Sequence, residues 1–163
     1  MIRDVQADDF EAIAQIYNYY ISNTVISFEE SEVDGEEISN RVKKVESAGL
    51  CWLVFEQNNE ILGYAYAAKW HERAAYRNTV EVSVYLQHQM KGRGYGSALY
   101  KALFHRLKDT SIHIAIAGIA LPNPESIKLH ERFGMQQVAH YKEVGCKFGQ
   151  WLDVGYWQVQ VNT

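Results

Sequence analysis

The chain has 163 residues, 47% of them hydrophobic and 22% charged, and a formal net charge of −4. That length suits one domain, residues 1–163, with a substantial core. The acidic balance argues against a nucleic-acid binder, because neutralising phosphates needs a basic surface. It leaves room for a small anionic ligand held by a local basic cluster. No run approaches the ~20 apolar residues that span a bilayer, and MIRDVQADDF carries acids where a secretory leader would be apolar. The expected setting is the cytoplasm, with neither nucleic acid nor membrane as a partner.

MIRDV reads as a short strand. Residues 8–21 place Phe10, Ile13, Ile16, Tyr17, Tyr20 and Ile21 at helical spacing, with Asp8 and Glu11 in capping-box positions. A more polar helix is expected over 33–48, ending near Gly49. LCWLVFE and ILGYAYAA read as a hairpin around QNNE. In TVEVSVYL, Val80, Val82, Val84 and Leu86 share one face, and Glu81, Ser83 and Tyr85 share the other.

Beyond the glycine-rich QMKGRGYG, residues Tyr95, Ala98, Leu99, Ala102, Leu103 and Leu107 follow an amphipathic helix. IHIAIAGIAL is a further strand. NPESIKLHERFG is a helix with Asn123 as N-cap, Pro124 at its first position and Gly134 as its stop. Strands near 136–144 and 152–161 complete the order β-α-α-β-β-β-α-β-α-β-β. This is an α/β arrangement: a mixed central sheet of about seven strands flanked by about four helices. Cys51 and Cys146 fit no metal spacing and are read as buried free thiols; no metal is expected.

The glycine loop joins a strand to a helix, where unpaired amides and partial positive charge welcome an anion. It is not a P-loop, since no lysine follows the last glycine. A Rossmann fingerprint would need glycine at 97, where Ser97 stands. What remains is Q-x-x-G-x-G, from Gln89, Gly92 and Gly94, which alone fits a turn as well as a phosphate cradle.

Placed between TVEVSVYL and NPESIKLHERFGM, that loop resembles the acetyl-CoA pyrophosphate loop of the GCN5-related N-acetyltransferase (GNAT) superfamily. Four blocks, IYNYYISNTVISFE, GYAYAAKWHERAAYRNTVEVSVYL, LPNPESIKLHERFGM and GCKFGQWLDVGYWQ, are similar to the phosphinothricin N-acetyltransferase branch. Met135 departs from that pattern, standing where Phe or Tyr is commoner.

The resemblance implies the GNAT fold and direct transfer from acetyl-CoA, in a ternary complex, to the amine of a small anionic amino acid. Phosphinothricin, methionine sulfoximine and methionine sulfone are such acceptors, and their acetylation is a detoxification. Other readings are a different acceptor (a protein N-terminus, a polyamine or an aminoglycoside) or an acyl-CoA sensor without catalysis.

Such a transfer needs a base for the alkylammonium, a donor for the thioester oxygen and a proton for the thiolate. The resemblance makes Glu81 the base, His130 an acid, second base or cofactor contact, and Tyr85 a substrate-orienting residue. It assigns the cofactor to Val84, Tyr85, Leu86, Gln89, Lys91, Gly92, Arg93, Gly94, Tyr95, Gly96, Ser97, Asn123 and Ser126. The acceptor falls to Phe28, Lys69, Arg73, Tyr76, Arg77 and Glu81, with Arg73 leading because guanidinium pairs bidentately with oxyanions. His71, His88, His105, His113 and His140 have no comparable context. The same likeness implies a homodimer formed near the aromatic tail.

Overall fold

Asn58 and Asn59 both adopt positive φ, 52° and 62°, the two-residue turn whose twist suits a pair of adjoining strands. They join β2 (Trp52–Gln57) to β3 (Glu60–Lys69). The computed structural model describes residues 1–163. On either side of this hairpin, β1 (Ile2–Asp4) pairs with β2 and β4 (Thr79–Leu86) with β3, both antiparallel. A second hairpin joins β6 (Gln136–Lys147) to β7 (Gln150–Gln160) through Phe148 and Gly149, again at positive φ. Between the hairpins runs β5 (Ile114–Leu121), parallel to β4 and antiparallel to β7. The sheet order is β1-β2-β3-β4-β5-β7-β6.

Alternation along the strands sorts two cores. Leu53, Ala65, Ala67, Val80 and Val82 pack with Leu99, Tyr100 and Leu103 of α3 (Tyr95–Lys108), and α4 (Pro124–Arg132) joins the same face. Trp52, Val54 and Tyr64 pack on the other face against α1 (Phe10–Asn23) and α2 (Gly35–Ser47). The expected fold class and element order hold.

One irregularity matters for function. β4 pairs with β5 only over Thr79, Val80 and Glu81. Beyond Glu81, β4 keeps only β3, and β5 from Ala117 keeps only β7. The strands part there, leaving a main-chain edge of β4 without a strand partner.

Local departures have local causes. The capping box at Asp8 and Glu11 does not form. Arg3 and the Gln6 amide engage the Asp9 carboxylate instead, at 2.7–2.9 Å, and Glu11 accepts from the Gly35 amide at 3.2 Å. Asp34 caps α2 by accepting from the Glu37 amide, so that helix starts later than 33. β6 runs past 144 because a bulge with Glu143 at positive φ restores pairing at Gly145. Cys51 and Cys146 are both free, but neither is buried as expected: Cys51 is half-buried and Cys146 exposed. No helix is long and apolar enough to cross a membrane.

Candidate active site

Gly92 and Gly94 sit at φ 78° and 82°, in the left-handed region that glycine enters without steric cost. Gly94 is the N-cap of α3, and no side chain caps that helix. Its first amides therefore face outward without partners. They open on a cavity of about 360 Å³ between α3, α4 and the free edge of β4. Val84, Tyr85, Leu86, Lys91, Gly92, Gly94, Gly96, Ser97, Asn123 and Ser126 line it.

Three of the loop candidates do not. The Tyr95 ring packs on Phe55 at 4.7 Å and its hydroxyl faces Gln57. The Gln89 amide faces Gln87 at 3.4 Å, and Arg93 is exposed outside the lining. Lys128 and Arg132 bring two further cations; sequence reading passed over them, although their i, i+4 spacing puts them on one side of α4. Asn123 also caps α4, accepting from the Ser126 amide at 3.2 Å. Three cations, an uncapped helix start and an unpaired strand edge fit a polyanionic pyrophosphate followed by an amide-bearing arm.

Behind this cavity, inside the fork, lies a smaller one of about 60 Å³. Ser83, Tyr85, Asn123, Ser126, Tyr100 and His130 line it. His130 is 4% exposed. Its Nδ1 lies 2.6 Å from the Ser126 carbonyl, which can only accept, so Nδ1 carries the proton. Nε2 is then bare and accepts the Tyr100 hydroxyl at 2.8 Å. Burial pulls the His130 pKa down, which favours this neutral form. The Tyr100 hydroxyl proton is thus shared with His130 at the cavity wall, and sequence reading gave Tyr100 no role of its own.

Glu81 stands at the point where the strands part, on the opposite face. Burial pushes its carboxyl pKa up, partly countered by nearby His71. Tyr66 and Tyr156 feel its charge; Tyr156 lies across Gly118, where an added Cβ would come within 3.1 Å of its ring. Sequence reading gave His71 no role; it lies in the β3–β4 connection, tilted against Trp70 at 4.0 Å, near enough to Glu81 to act on its charge.

Tyr85 is wedged edge-on between Tyr17 and Tyr20, at 5.1 and 5.2 Å, and burial raises its pKa well above the ordinary value. Tyr20 donates to the Leu86 carbonyl. Tyr17 shares its hydroxyl with Ser27 and Glu29, and Arg41 grips Glu29 through two bonds of 2.6 and 2.9 Å. That guanidinium holds the Glu29 carboxyl below the usual range.

The acceptor candidates are spread around this point. Lys69, at the end of β3, lines a groove of about 500 Å³ with Arg41, Lys44, Trp52 and Tyr66. Its neighbour Ala68 is the register partner of Glu81. Arg73 precedes the short turn Ala74–Tyr76 and is exposed. Arg77 donates to the Ala74 carbonyl at 3.0 Å, and Tyr76 packs edge-on to Trp70. Phe28 lies on Gly145, where a Cβ would approach its ring to 2.3 Å. No group of three or more His, Cys, Asp or Glu side chains could hold a metal ion.

Residues 2–155 match the acetyltransferase (GNAT) domain family. The phosphinothricin N-acetyltransferase of Streptomyces coelicolor is 36% identical over 160 residues, covering 96% of this chain and 94% of its own. The L-methionine sulfoximine/L-methionine sulfone acetyltransferase of Salmonella typhimurium is 33% identical, covering 99% of this chain and 94% of its own. Among solved structures, a phosphinothricin acetyltransferase from Sinorhizobium meliloti in complex with acetyl-CoA superposes with a TM-score of 0.94 at 33% identity. It covers 98% of this chain and 87% of that one.

Proposed function

This chain belongs to the GNAT acetyltransferases, and from that premise we propose that it acetylates the amino group of a small anionic amino acid. Phosphinothricin, methionine sulfoximine and methionine sulfone are the acceptors to test first, because proteins about one-third identical over nearly the full chain carry those activities in their names. The observation that carries the reading is the fork: a half-buried carboxylate stands where β4 and β5 part, and an anion cradle lines the free edge of β4 beyond it.

Acetyl-CoA supplies the acetyl group as a thioester, and Lys91, Lys128, Arg132 and the α3 amides hold its phosphates. In a ternary complex Glu81 removes a proton from the acceptor's ammonium, directly or through one water. The freed lone pair forms the N–C bond, the C–S bond breaks, and the nitrogen sheds its second proton, which replaces the one Tyr100 gives up. A main-chain amide on the unpaired edge of β4 meets the negative charge that grows on the carbonyl oxygen. The Tyr100 hydroxyl turns from His130 Nε2 to give the departing sulfur its proton. The product amide has no charge on nitrogen, which removes the toxicity of an amino-acid analogue. The same chemistry suits the cytoplasm, where acetyl-CoA is made and thiols stay reduced.

Thiol release from acetyl-CoA, followed against a panel of amino acids, polyamines and peptides, tests this. Turnover confined to anionic amino acids is expected. Turnover confined to peptides or polyamines, or acetyl-CoA binding without any transfer, would overturn it. Within the panel, Arg73→Ala is expected to raise the acceptor KM about tenfold or more, as loss of a hydrogen bond to a charged group does. Its acetyl-CoA KM should stay within about twofold of wild type; the reverse pattern would move Arg73 out of the acceptor site.

The proposal extends to a homodimer. Val138, Tyr141, Val144, Phe148 and Trp151 are all more than half exposed along β6, its turn and the start of β7, at the edge of the sheet. Isolated monomers rarely leave such a patch open. Light scattering is expected to give twice the chain mass for wild type and a shift towards monomer for Trp151→Glu.

A further inference from the structure

Lys147 is 2% exposed, a rare position for a lysine unless its charge is matched. Its ammonium donates to two main-chain carbonyls, Ile21 at 2.7 Å and Ser27 at 2.6 Å. Those carbonyls lie in α1 near its end and in the loop that follows it. Lys147 itself ends β6, more than a hundred residues further along the chain. One buried cation thus ties the β6–β7 hairpin to residues 21–27.

The tied loop is part of the site. Ile26 lines both the phosphate cavity and the fork cavity. Ser27 meets the Tyr17 hydroxyl at 2.9 Å, and Tyr17 packs on Tyr85. Phe28 rests on Gly145, two residues before Lys147. Within the loop the Ile26 amide finds Thr24 Oγ1 and the Glu29 amide finds Ser27 Oγ, at 3.1 and 3.2 Å; from the helices Tyr17 and Arg41 hold its Glu29 end, and Lys147 holds it from the hairpin side. Glu29 and Glu30 face the ammonium from the loop side, and the Phe148 ring lies 5.1 Å from it. Charge-assisted bonds to two carbonyls fix a loop more tightly than packing on an exposed phenyl ring does.

We propose that Lys147 is a positioning residue for the acceptor: it fixes loop 24–30 so that Ile26 and Phe28 wall the acceptor side of the fork. It touches neither reactant. The inference rests on the acceptor reading above, and its experiment separates the two.

Lys147→Met keeps the length and apolar stem of the side chain and removes its donors. The acceptor KM is expected to rise at least tenfold, and by more than the acetyl-CoA dissociation constant, which also feels Ile26. Lys147→Arg, which keeps charge and donors, should recover most of that loss. Gly145→Ala leaves Lys147 intact but drives a methyl into the Phe28 ring, and should raise the acceptor KM selectively as well. Hydrogen exchange of residues 24–30 in Lys147→Met should be at least tenfold faster than in wild type, whichever acceptor is right. Unchanged exchange in that loop overturns the proposal. So does an unchanged acceptor KM in a folded Lys147→Met, or, if that variant does not fold, in Gly145→Ala. A wild-type enzyme that acetylates no amino acid overturns the acceptor reading instead and leaves the exchange result to decide the role of Lys147.

Discussion

Glu81→Gln is expected to lower kcat by about 10²–10⁴ at neutral pH, the usual worth of a positioned general base, with acetyl-CoA affinity nearly unchanged. The geometry behind the size of the effect is specific. Glu81 is the last residue paired between β4 and β5, and burial raises its pKa. A base works only when deprotonated, so kcat/KM in wild type should fall as pH drops through that raised value. In Glu81→Gln this acid limb should vanish, and retention of the limb would assign the base elsewhere.

The same substitution should act on stability with the opposite sign. A carboxyl with a raised folded-state pKa binds more protons folded than unfolded, so stability falls as pH rises through the window between the two values and stays lower above it. Glutamine has nothing to ionise, so at neutral pH the variant should melt higher than wild type. Lost turnover with a raised melting temperature is a pairing that global misfolding cannot produce.

Gly63→Ala is expected to cost about 1–3 kcal/mol, in the range of overpacked cores, which lowers the melting temperature by about 2–4 °C for each kcal/mol in a chain of this size. The new Cβ would lie 2.5 Å from Leu86 Cδ2 and 2.8 Å from the Tyr85 carbonyl oxygen. A leucine methyl can swing aside, but the carbonyl cannot move without β4. Because Tyr85 and Leu86 also line the phosphate cavity, acetyl-CoA binding should weaken along with stability. A stable variant with unchanged affinity would mean that β4 tolerates displacement at the fork.

Glu81 and the glycine loop mark how far sequence reading reached. A charge interrupts an alternating strand and glycines precede a helical period, but each signal alone fits a solvated strand or a plain turn, and only the family resemblance gave it a role. Alternation and helical spacing are local signals, and they gave the element order and the hairpin around QNNE. The Tyr100–His130 bond was not legible, because its partners stand thirty residues apart on different helices. His71 and Lys147 were missed for a related reason: each acts on a partner brought close only by the folded chain. The misplaced capping box shows the same limit at short range, since Asp9 answers to Arg3 rather than to its own helix.

The fork can also be viewed mechanically. Strands β1 to β4 and strands β5 to β7 are two half-sheets stitched by three rungs, at Thr79, Val80 and Glu81. A ligand whose amides bond the open edge of β4 would supply cross-links that the chain itself does not make there. Saturating acetyl-CoA should then raise the melting temperature, as tight binding to the native state alone requires, and should slow hydrogen exchange on both sides of the seam. The sheet is finished by the molecule it is built to spend.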